Sequence, residues 1–560
     1  MIEPQAARTV ATNPQSLTVN GGKTVVANFL KADTSFIQTE LPINVSRDLT
    51  DSTHSPSFHK HWEPSTGVGP TWVHSYSYVD SASYFKTYIA TWSMLPGQVA
   101  NTWNKFQITD PNAAGVGDLF LAYDSHHNGG QYLLVGTGLE PKASSLYLKK
   151  SHDGIDWRED WQPILAGSTG LAWDFGSVAV DSRGRIAVGA VNYPAAHNTA
   201  CANGFWVRIS ETDGTFSSPA QQVAAPTQTC DSTDPTNSSK EARWGIGSRL
   251  VAAGDHFYVF TPALLEGAQF QPTDLSYYEE NSSGVWSGNS SGLNGSTALP
   301  LPTPFNAPLN NAQPSNGKAP IYYAPLLDAS GNNESGTWAV TFQGRPDGVP
   351  YNNAFVCTNR SYPRHLDPVN CFAVNQALDD QFLNGVSVDS SGGIWVSYLT
   401  YSGVGYTAGT VGPLPLYHQT IYLKPDGNTL GVTGDYNVDP TLWRRDTSAD
   451  RCQDLNSPLP CLMMGDYARI GANNYFGLDS PYVNSSKCLD EVRKIACVGE
   501  DIFQIFAFDP KGSPPSNTFV PNLTYYPKVN GPRGKGKPNP PGTTGVAPEK
   551  RRKMPGKNGH

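Results

Sequence analysis

Val178-Ala179-Val180-Asp181-Ser182-Arg183-Gly184-Arg185-Ile186-Ala187-Val188 returns 208 residues later as Val386-Ser387-Val388-Asp389-Ser390-Ser391-Gly392-Gly393-Ile394-Trp395-Val396. In both copies apolar residues alternate with period 2, stop at Asp-Ser-x-Gly, and alternate again. That is the pattern of a strand, a tight turn and a second strand, with glycine where the turn needs a positive φ. Looser copies run from Leu119 to Val135, Arg249 to Phe260, Ile321 to Phe342 and Tyr467 to Leu478. The six hairpins centre near residues 124, 181, 254, 331, 390 and 473, with a mean spacing that leaves room for four strands and their loops. Further strand pairs with an Asp-Gly turn follow several of them, as in Leu146 to Trp157, Trp206 to Phe216 and Thr420 to Gly427. Repetition of this kind is what a β-propeller requires, and it is favoured over two β-sandwiches because the best copies match in turn chemistry as well as in period.

The bulk composition agrees. Only 16% of the 560 residues are charged, while 54 Gly, 45 Pro and 13 Trp supply turns and large aromatic side chains. Coiled coils and helical solenoids need more Ala, Glu, Lys and Leu, and a disordered chain would lack the 11% of aromatic residues. The expectation is an all-β, six-bladed propeller over 105–510. A β-rich extension over 1–104, itself able to complete the first blade, precedes it. A Pro/Gly-rich tail over 511–560 follows, flexible and disordered from 528 onward.

The net charge of -9 hides an asymmetry. Nine Lys or Arg against Glu549 give the stretch from Lys528 a charge of +8, leaving -17 on the preceding 527 residues. An acidic body argues against nucleic acid as a partner. The eight cysteines form four sequence-adjacent pairs without any CxxC, which suits disulfides closing local loops; eight cysteines allow 105 pairings, and spacing alone does not choose among them. With sequons such as Asn44, Asn237, Asn281, Asn333 and Asn359 they point to a secreted, extracellular protein. No apolar run is long enough to span a membrane, and the first 30 residues lack the basic start and apolar core of a signal peptide.

Ser151-His152-Asp153-Gly154-Ile155-Asp156-Trp157 resembles the Asp-box of the sialidase-like (BNR repeat) propellers, one residue short between Asp and Gly. Ser210-Glu211-Thr212-Asp213-Gly214-Thr215-Phe216 is a weaker relative, and Gly465-Asp466-Tyr467 resembles the opening of a last blade. The resemblance spans roughly residues 105 to 510 and implies a sialidase-like propeller. Asp-boxes are structural turns on the rim, so Asp153 and Trp157 are given no chemistry. Family sialidases clamp a substrate carboxylate with three Arg, pair a Tyr nucleophile with Glu, and use an Asp as acid. The resemblance thus implies Arg249, Arg345, Arg364 and Arg469 as clamp members, Tyr467 as nucleophile and Glu241 as its partner. The family's Phe/Tyr-Arg-Ile-Pro string is absent; the nearest, Tyr362-Pro363-Arg364-His365, is late and in the wrong order.

Independently of the family, residues just ahead of each inner strand converge at one face of a propeller. Here they are Asp118, Asp174, Glu241 with Arg243, Asp380, and Asp466 with Tyr467. Paired carboxylates serve glycoside hydrolysis, one protonating the leaving oxygen while the other attacks or activates water. This makes Tyr467, Glu241, Asp174 and Asp466 the catalytic candidates. Arg249, Arg345, Arg364, Arg469, Arg243 and Asp118 are the substrate-binding candidates. The competing role for each acid is structural, capping a turn or bonding a neighbouring blade. His59 and His61, two apart with His54 nearby, would share a strand face suited to a transition metal, and Asp231 with Asp234 offers oxygen to calcium; hydrogen bonding in a polar loop competes with both. No cofactor is required, and no phosphate-binding, nicotinamide or α/β-hydrolase motif is present. Three functions follow: recognition of an extracellular glycan or polymer at the channel face, glycoside hydrolysis there, or a structural surface role with self-assembly through the aromatic N-terminal region.

Overall fold

The computed structural model describes residues 60–69, 71–81, 84–93, 104–108, 115–138, 144–168, 171–194, 204–224, 248–264, 272–281, 284–287, 297–299, 305–306, 327–346, 353–360, 369–374, 381–401, 416–423, 425 and 429–437, together with strands at 15–19, 23–27, 36–39, 43–44, 469–472, 500–508, 517–520 and 522–526. All regular structure among them is β. None of it is a helix long and apolar enough to cross a membrane.

The strands form antiparallel meanders in chain order. The first sheet holds Lys60–Val68, Thr71–Ser81, Tyr84–Ser93 and Asn104–Gln107. The second holds Val116–Asp124, Gln131–Gly138, Ser145–Ser151 and Gln162–Leu165; the third Leu171–Val180, Ile186–Pro194, Phe205–Ile209 and Gln221–Ala224. Arg249–Ala253, His256–Leu264, Pro272–Glu280 and Thr297–Ala298 make the fourth. In the fifth, Asp328–Gly331, Trp338–Pro346, Asn353–Thr358 and Asn370–Ala373 follow in order, with Phe305–Asn306 also on Trp338–Pro346. The sixth holds Gln381–Val388, Ile394–Tyr401, Leu416–Leu423 and Thr429–Asn437.

The seventh is composite. Arg469–Ala472 pairs with Glu500–Phe508, which pairs with Asn517–Val520 and Asn522–Tyr526. Those two in turn hold the N-terminal strands Ile43–Asn44 and Phe36–Thr39. Strands from the two ends of the chain therefore share one sheet. Besides the two-stranded sheet of Gln15–Val19 and Lys23–Ala27, seven larger sheets stand among the described residues where the sequence suggests six hairpin units, because Lys60–Val68, Thr71–Ser81, Tyr84–Ser93 and Asn104–Gln107 make a sheet of their own. Their turns, at Gly69 and after Ser81, carry no Asp-x-Gly signature by which to count them.

Each sheet's opening strand packs on the next one's, from the first sheet to the sixth. Arg469–Ala472 lies against the opening strands of both the sixth and the first. This is blade packing of the propeller kind. Five apolar clusters fill the first five seams, and alternation along a strand decides which seam each side chain enters. Leu119 and Leu121 face the first sheet, whereas Phe120 and Ala122 face the third. With both faces covered, the central strand Gln131–Gly138 is buried throughout. Tryptophans sit in these seams as wedges: Trp157, Trp173, Trp286 and Trp338 occupy the first four. Cys357 and Cys371 stand directly opposite on neighbouring strands of the fifth sheet and form a disulfide.

The repeated turns are near copies of one another. Asp181 N–H donates to the Arg185 carbonyl and Gly184 N–H to the Asp181 carbonyl; Asp389, Gly393 and Gly392 repeat both bonds. The Asp side chain accepts N–H groups within the turn, from Arg183 and Arg185 in one copy and Gly393 in the other. Gly184 and Gly392 have φ of 84° and 80°. A Cβ there would be strained, and at Gly392 it would strike the Arg360 guanidinium.

Candidate functional site

The direction of the opening strands decides which residues can meet. Val386 N–H donates to Asp328 Oδ2 at 2.9 Å, and two residues on Val388 N–H donates to Ser330 Oγ at 3.1 Å. The two pairs advance together, so the fifth and sixth opening strands run the same way. In the first seam Leu121 N–H donates to Ser65 Oγ at 3.0 Å. Ser65 and Asp328 both stand four residues before their turns, so the first two strands match the same scheme. The leading ends of these strands therefore gather at one mouth, with the Asp-x-x-Gly turns at the other end.

At the mouth, four opening strands carry a β-bulge at an equivalent register. The pairing shifts between Trp62 and Ser65, between Gly117 and Phe120, between Asp174 and Ser177, and between Phe382 and Gly385. Two residues oppose one at each bulge, which re-aims side chains that a regular strand would bury in the seams. Asp118 and Phe175 occupy the same bulge position, with φ of 49° and 50°. The left-handed region is tolerable for Asp and costly for Phe. Asp174 Oδ1 accepts the Phe175 N–H at 2.9 Å and so braces one of these bends. The Asp118 carboxylate is half-buried, and among the described residues no hydrogen bond or ion pair holds it.

Arg249 opens the fourth sheet and is 1% exposed. Its Nη1 donates to the Ser248 carbonyl at 3.1 Å, and its guanidinium carbon stands 4.8 Å from the centre of the Phe120 ring. Phe120 belongs to the second sheet, two residues beyond Asp118, so Arg249 reaches past the intervening third sheet.

Of the other sequence candidates, Arg345, Arg469 and His61 lie on strands, and the backbone alone of these three residues is described. Arg345 sits near the end of the fifth sheet's second strand, opposite Asn306. Tyr467, Glu241, Asp466, Arg243, Arg364, His54 and His59 lie outside the described residues, as do Asp231, Asp234 and Asp380. Among the described residues, no group of three or more His, Cys, Asp and Glu is placed to hold a metal ion. His127 in the second sheet's turn is committed to structure. Its Nδ1 is 2.6 Å from buried Asp124 Oδ2, and its Nε2 is 3.0 Å from the Thr212 carbonyl.

The Asp153 turn links the third and fourth strands of the second sheet, on its outer side. Asp153 Oδ1 accepts N–H groups from Ile155 and Asp156 at 2.8 and 2.7 Å, and Trp157 Nε1 donates to the Gly154 carbonyl at 2.9 Å while its ring fills the first seam. Partial burial on its own would raise the Asp153 pKa, but the N–H donors together with Ser151 hold it below the usual carboxylate range. Asn281, Gly284 and Val285 in the fourth sheet instead repeat the Asp181 turn, with Asn281 N–H on the Val285 carbonyl and Gly284 N–H on the Asn281 carbonyl, and sequence reading missed it because Asn replaces Asp. Val285 N–H donates to Asn281 Oδ1 at 3.2 Å, and Trp286 is buried in the third seam.

The third seam also holds ionic groups. Arg185 donates from Nε to Asp181 Oδ2 at 2.7 Å and from Nη1 and Nη2 to Glu280 Oε1 and Oε2, each at 2.9 Å. Both carboxylates are fully buried. Desolvation works against the Arg185 charge, but the two carboxylates outweigh it and raise its pKa.

No protein-family model matches the chain, and no curated protein matches it. Among solved structures it is similar to the α-L-arabinofuranosidase Arb93A from Fusarium graminearum, at 10% identity over 69% of this chain and 98% of that one, with a TM-score of 0.40. It is also similar to a Penicillium chrysogenum α-L-arabinanase complexed with arabinobiose, at 12% identity over 86% and 98% with a TM-score of 0.35. A thermostable family-43 glycoside hydrolase follows at 12% over 71% and 99%, with a TM-score of 0.32. Likenesses this distant assign neither activity nor substrate.

Proposed function

We propose that the chain is a seven-bladed β-propeller of the extracellular space that binds a glycan at the mouth where its opening strands begin. The observation that carries this reading is the repeated bulge, with the Asp118 carboxylate left uncommitted two residues from Phe120, over whose ring the Arg249 guanidinium lies. Four sheets spend regular ladder bonds, and one of them a Phe in the left-handed region, to turn residues toward the same opening. Strain of that sort is kept where it serves a site. Carboxylates and side-chain amides recognise hydroxyl groups, which both donate and accept. The Cys357–Cys371 disulfide supports an oxidising compartment.

Asp118 and Asp174 stand on adjacent opening strands, one at and one beside the bulge. That juxtaposition supports a second reading, glycoside hydrolysis with one acid as proton donor and the other as nucleophile or base. The sialidase-type machinery around Tyr467 and Glu241 remains part of the hydrolase reading. A glycan array with the wild-type chain and Asp118→Asn tests binding. Asn tolerates the left-handed region, so the substitution removes charge without removing the bulge. Binding that Asp118→Asn abolishes supports the mouth; an array with no bound glycan sinks the proposal. Release of a fluorogenic aglycone, lost in Asp174→Asn, would move the chain from binding to hydrolysis.

A further inference from the structure

Some of the polar groups buried between the sheets are bonded within the protein, while single atoms of Thr66, Ser75, Thr137, Ser177 and Asn353 have no partner. Ser65, Asp328 and Ser330 bond the neighbouring opening strand, and the Arg185 cluster is internally paired. Gln381 and Asn384, at the mouth of the sixth sheet, are different. Gln381 stands opposite Thr400, and the bulge containing Asn384 stands opposite Tyr398. Both therefore lie on the face that carries Val386, Val388, Val396 and Tyr398 into the seam with the fifth sheet. Gln381 is 0% exposed and Asn384 is 6%.

Gln381 Oε1 accepts the Ala354 N–H of the fifth sheet at 2.7 Å, which fixes the amide and leaves Nε2 as the outward donor. Nε2 has no partner, and neither Oδ1 nor Nδ2 of Asn384 has one. Two donors and one acceptor thus sit in a seam otherwise lined with aliphatic and aromatic groups. A buried polar group left unsatisfied costs roughly 1–3 kcal/mol. Leu or Met at either position would continue the apolar cluster already formed by Val386 and Val388. Groups retained at such a cost call for a partner, either a ligand or an ordered water.

We propose that Gln381 and Asn384 form a subsite for neutral hydroxyl groups, an adjacent diol of a sugar ring inserted from the mouth. Asn384 Nδ2 donates to one hydroxyl oxygen and Oδ1 accepts a hydroxyl proton, while Gln381 Nε2 donates to the second oxygen. Donors and acceptor fit a diol on both sides. An anion would meet Asn384 Oδ1, and a cation would meet two NH₂ groups, so the site selects an uncharged fragment. The inference rests on the mouth being a glycan site and names the part of the glycan it grips.

Saturation-transfer NMR with a panel of neutral monosaccharides (arabinose, xylose, glucose, galactose and mannose) tests it on the full chain, beside thermal unfolding. The expected result is binding of at least one sugar by the wild type. Gln381→Leu and Asn384→Leu weaken that binding about tenfold or more while melting at the same or a higher temperature. Asn384→Ala, which cannot overpack the seam, gives the same loss. Unchanged affinity in Asn384→Ala and Gln381→Leu overturns the subsite and leaves the mouth intact, the amides then being satisfied by internal water. A wild-type chain that binds no sugar in this panel or on the array overturns both readings.

Discussion

Replacing Glu280 with Ala removes both acceptors of a bidentate pair and strands the Arg185 guanidinium in the third seam. Two hydrogen bonds at 2.9 Å disappear at once, and Asp181, 2.7 Å from Nε, is left as the one carboxylate facing the cation. Arg185 is 8% exposed, so water cannot take over the vacated side. Breaking a buried pair from one end costs about 3–5 kcal/mol, and the remaining Asp181 contact places the expectation near about 3. The pair joins the third sheet's turn to the fourth sheet's third strand across 95 residues of sequence, so its loss loosens one seam as a unit. The assay is a double-mutant cycle in urea, followed by tryptophan fluorescence. Arg185→Met with Glu280→Met removes both charges and should recover much of the loss, giving a coupling of about 2 kcal/mol or more. A cost below about 1 kcal/mol for Glu280→Ala, or strict additivity in the cycle, would refute the clamp.

Other consequences are open to simpler tests. Cys357→Ala with Cys371→Ala opens a loop of 14 residues and should cost about 3 kcal/mol, measured by unfolding with and without reductant. Trp157→Ala empties the first seam beneath its turn and should cost about 3–5 kcal/mol in the same assay. Asp153 titrates below the usual carboxylate range in the folded chain, so its contribution is present at neutral pH and is lost as pH falls below about 4 through the lowered value. Asp153→Asn should therefore lower stability at neutral pH and converge with the wild type in acid, which flattens that acid limb of the profile. At the alkaline end, burial first and then the Glu279 charge raise the Tyr258 phenol well above the ordinary tyrosine value. The unfolded chain ionises this group first, so Tyr258→Phe should reduce the loss of stability above about pH 10 in a pH-dependent melt.

Much of the fold is written in local chemistry. Asp181-Ser-Arg-Gly184 and Asp389-Ser-Ser-Gly392 specify their turns because a short acceptor and a glycine are each required at a fixed offset, and both hairpins appear at the stated registers. The surplus of tryptophan reads correctly as wedges between sheets. What escapes is anything that depends on register or on distant partners. A bulge adds one residue and leaves no compositional mark, so the bends at Asp118 and Phe175 are invisible; Asp118 and Asp174 are expected ahead of inner strands, whereas both lie within them. The same shift hides Asn384, where the sequence search settles on Asp380 instead. A faint signal existed in Phe382-Leu383-Asn384-Gly385-Val386, a polar residue and a glycine inside an apolar strand. Arg185 reads as a turn residue, and its second carboxylate lies too far along the chain for any local rule.

A crystal structure of the chain with the strongest glycan from the array tests the central claim most directly. The account places the sugar at the mouth, within hydrogen-bond reach of the Asp118 carboxylate and with a hydroxyl on Asn384. A sugar seated instead on the outer rim, against exposed Ile155 or Val285, would contradict it.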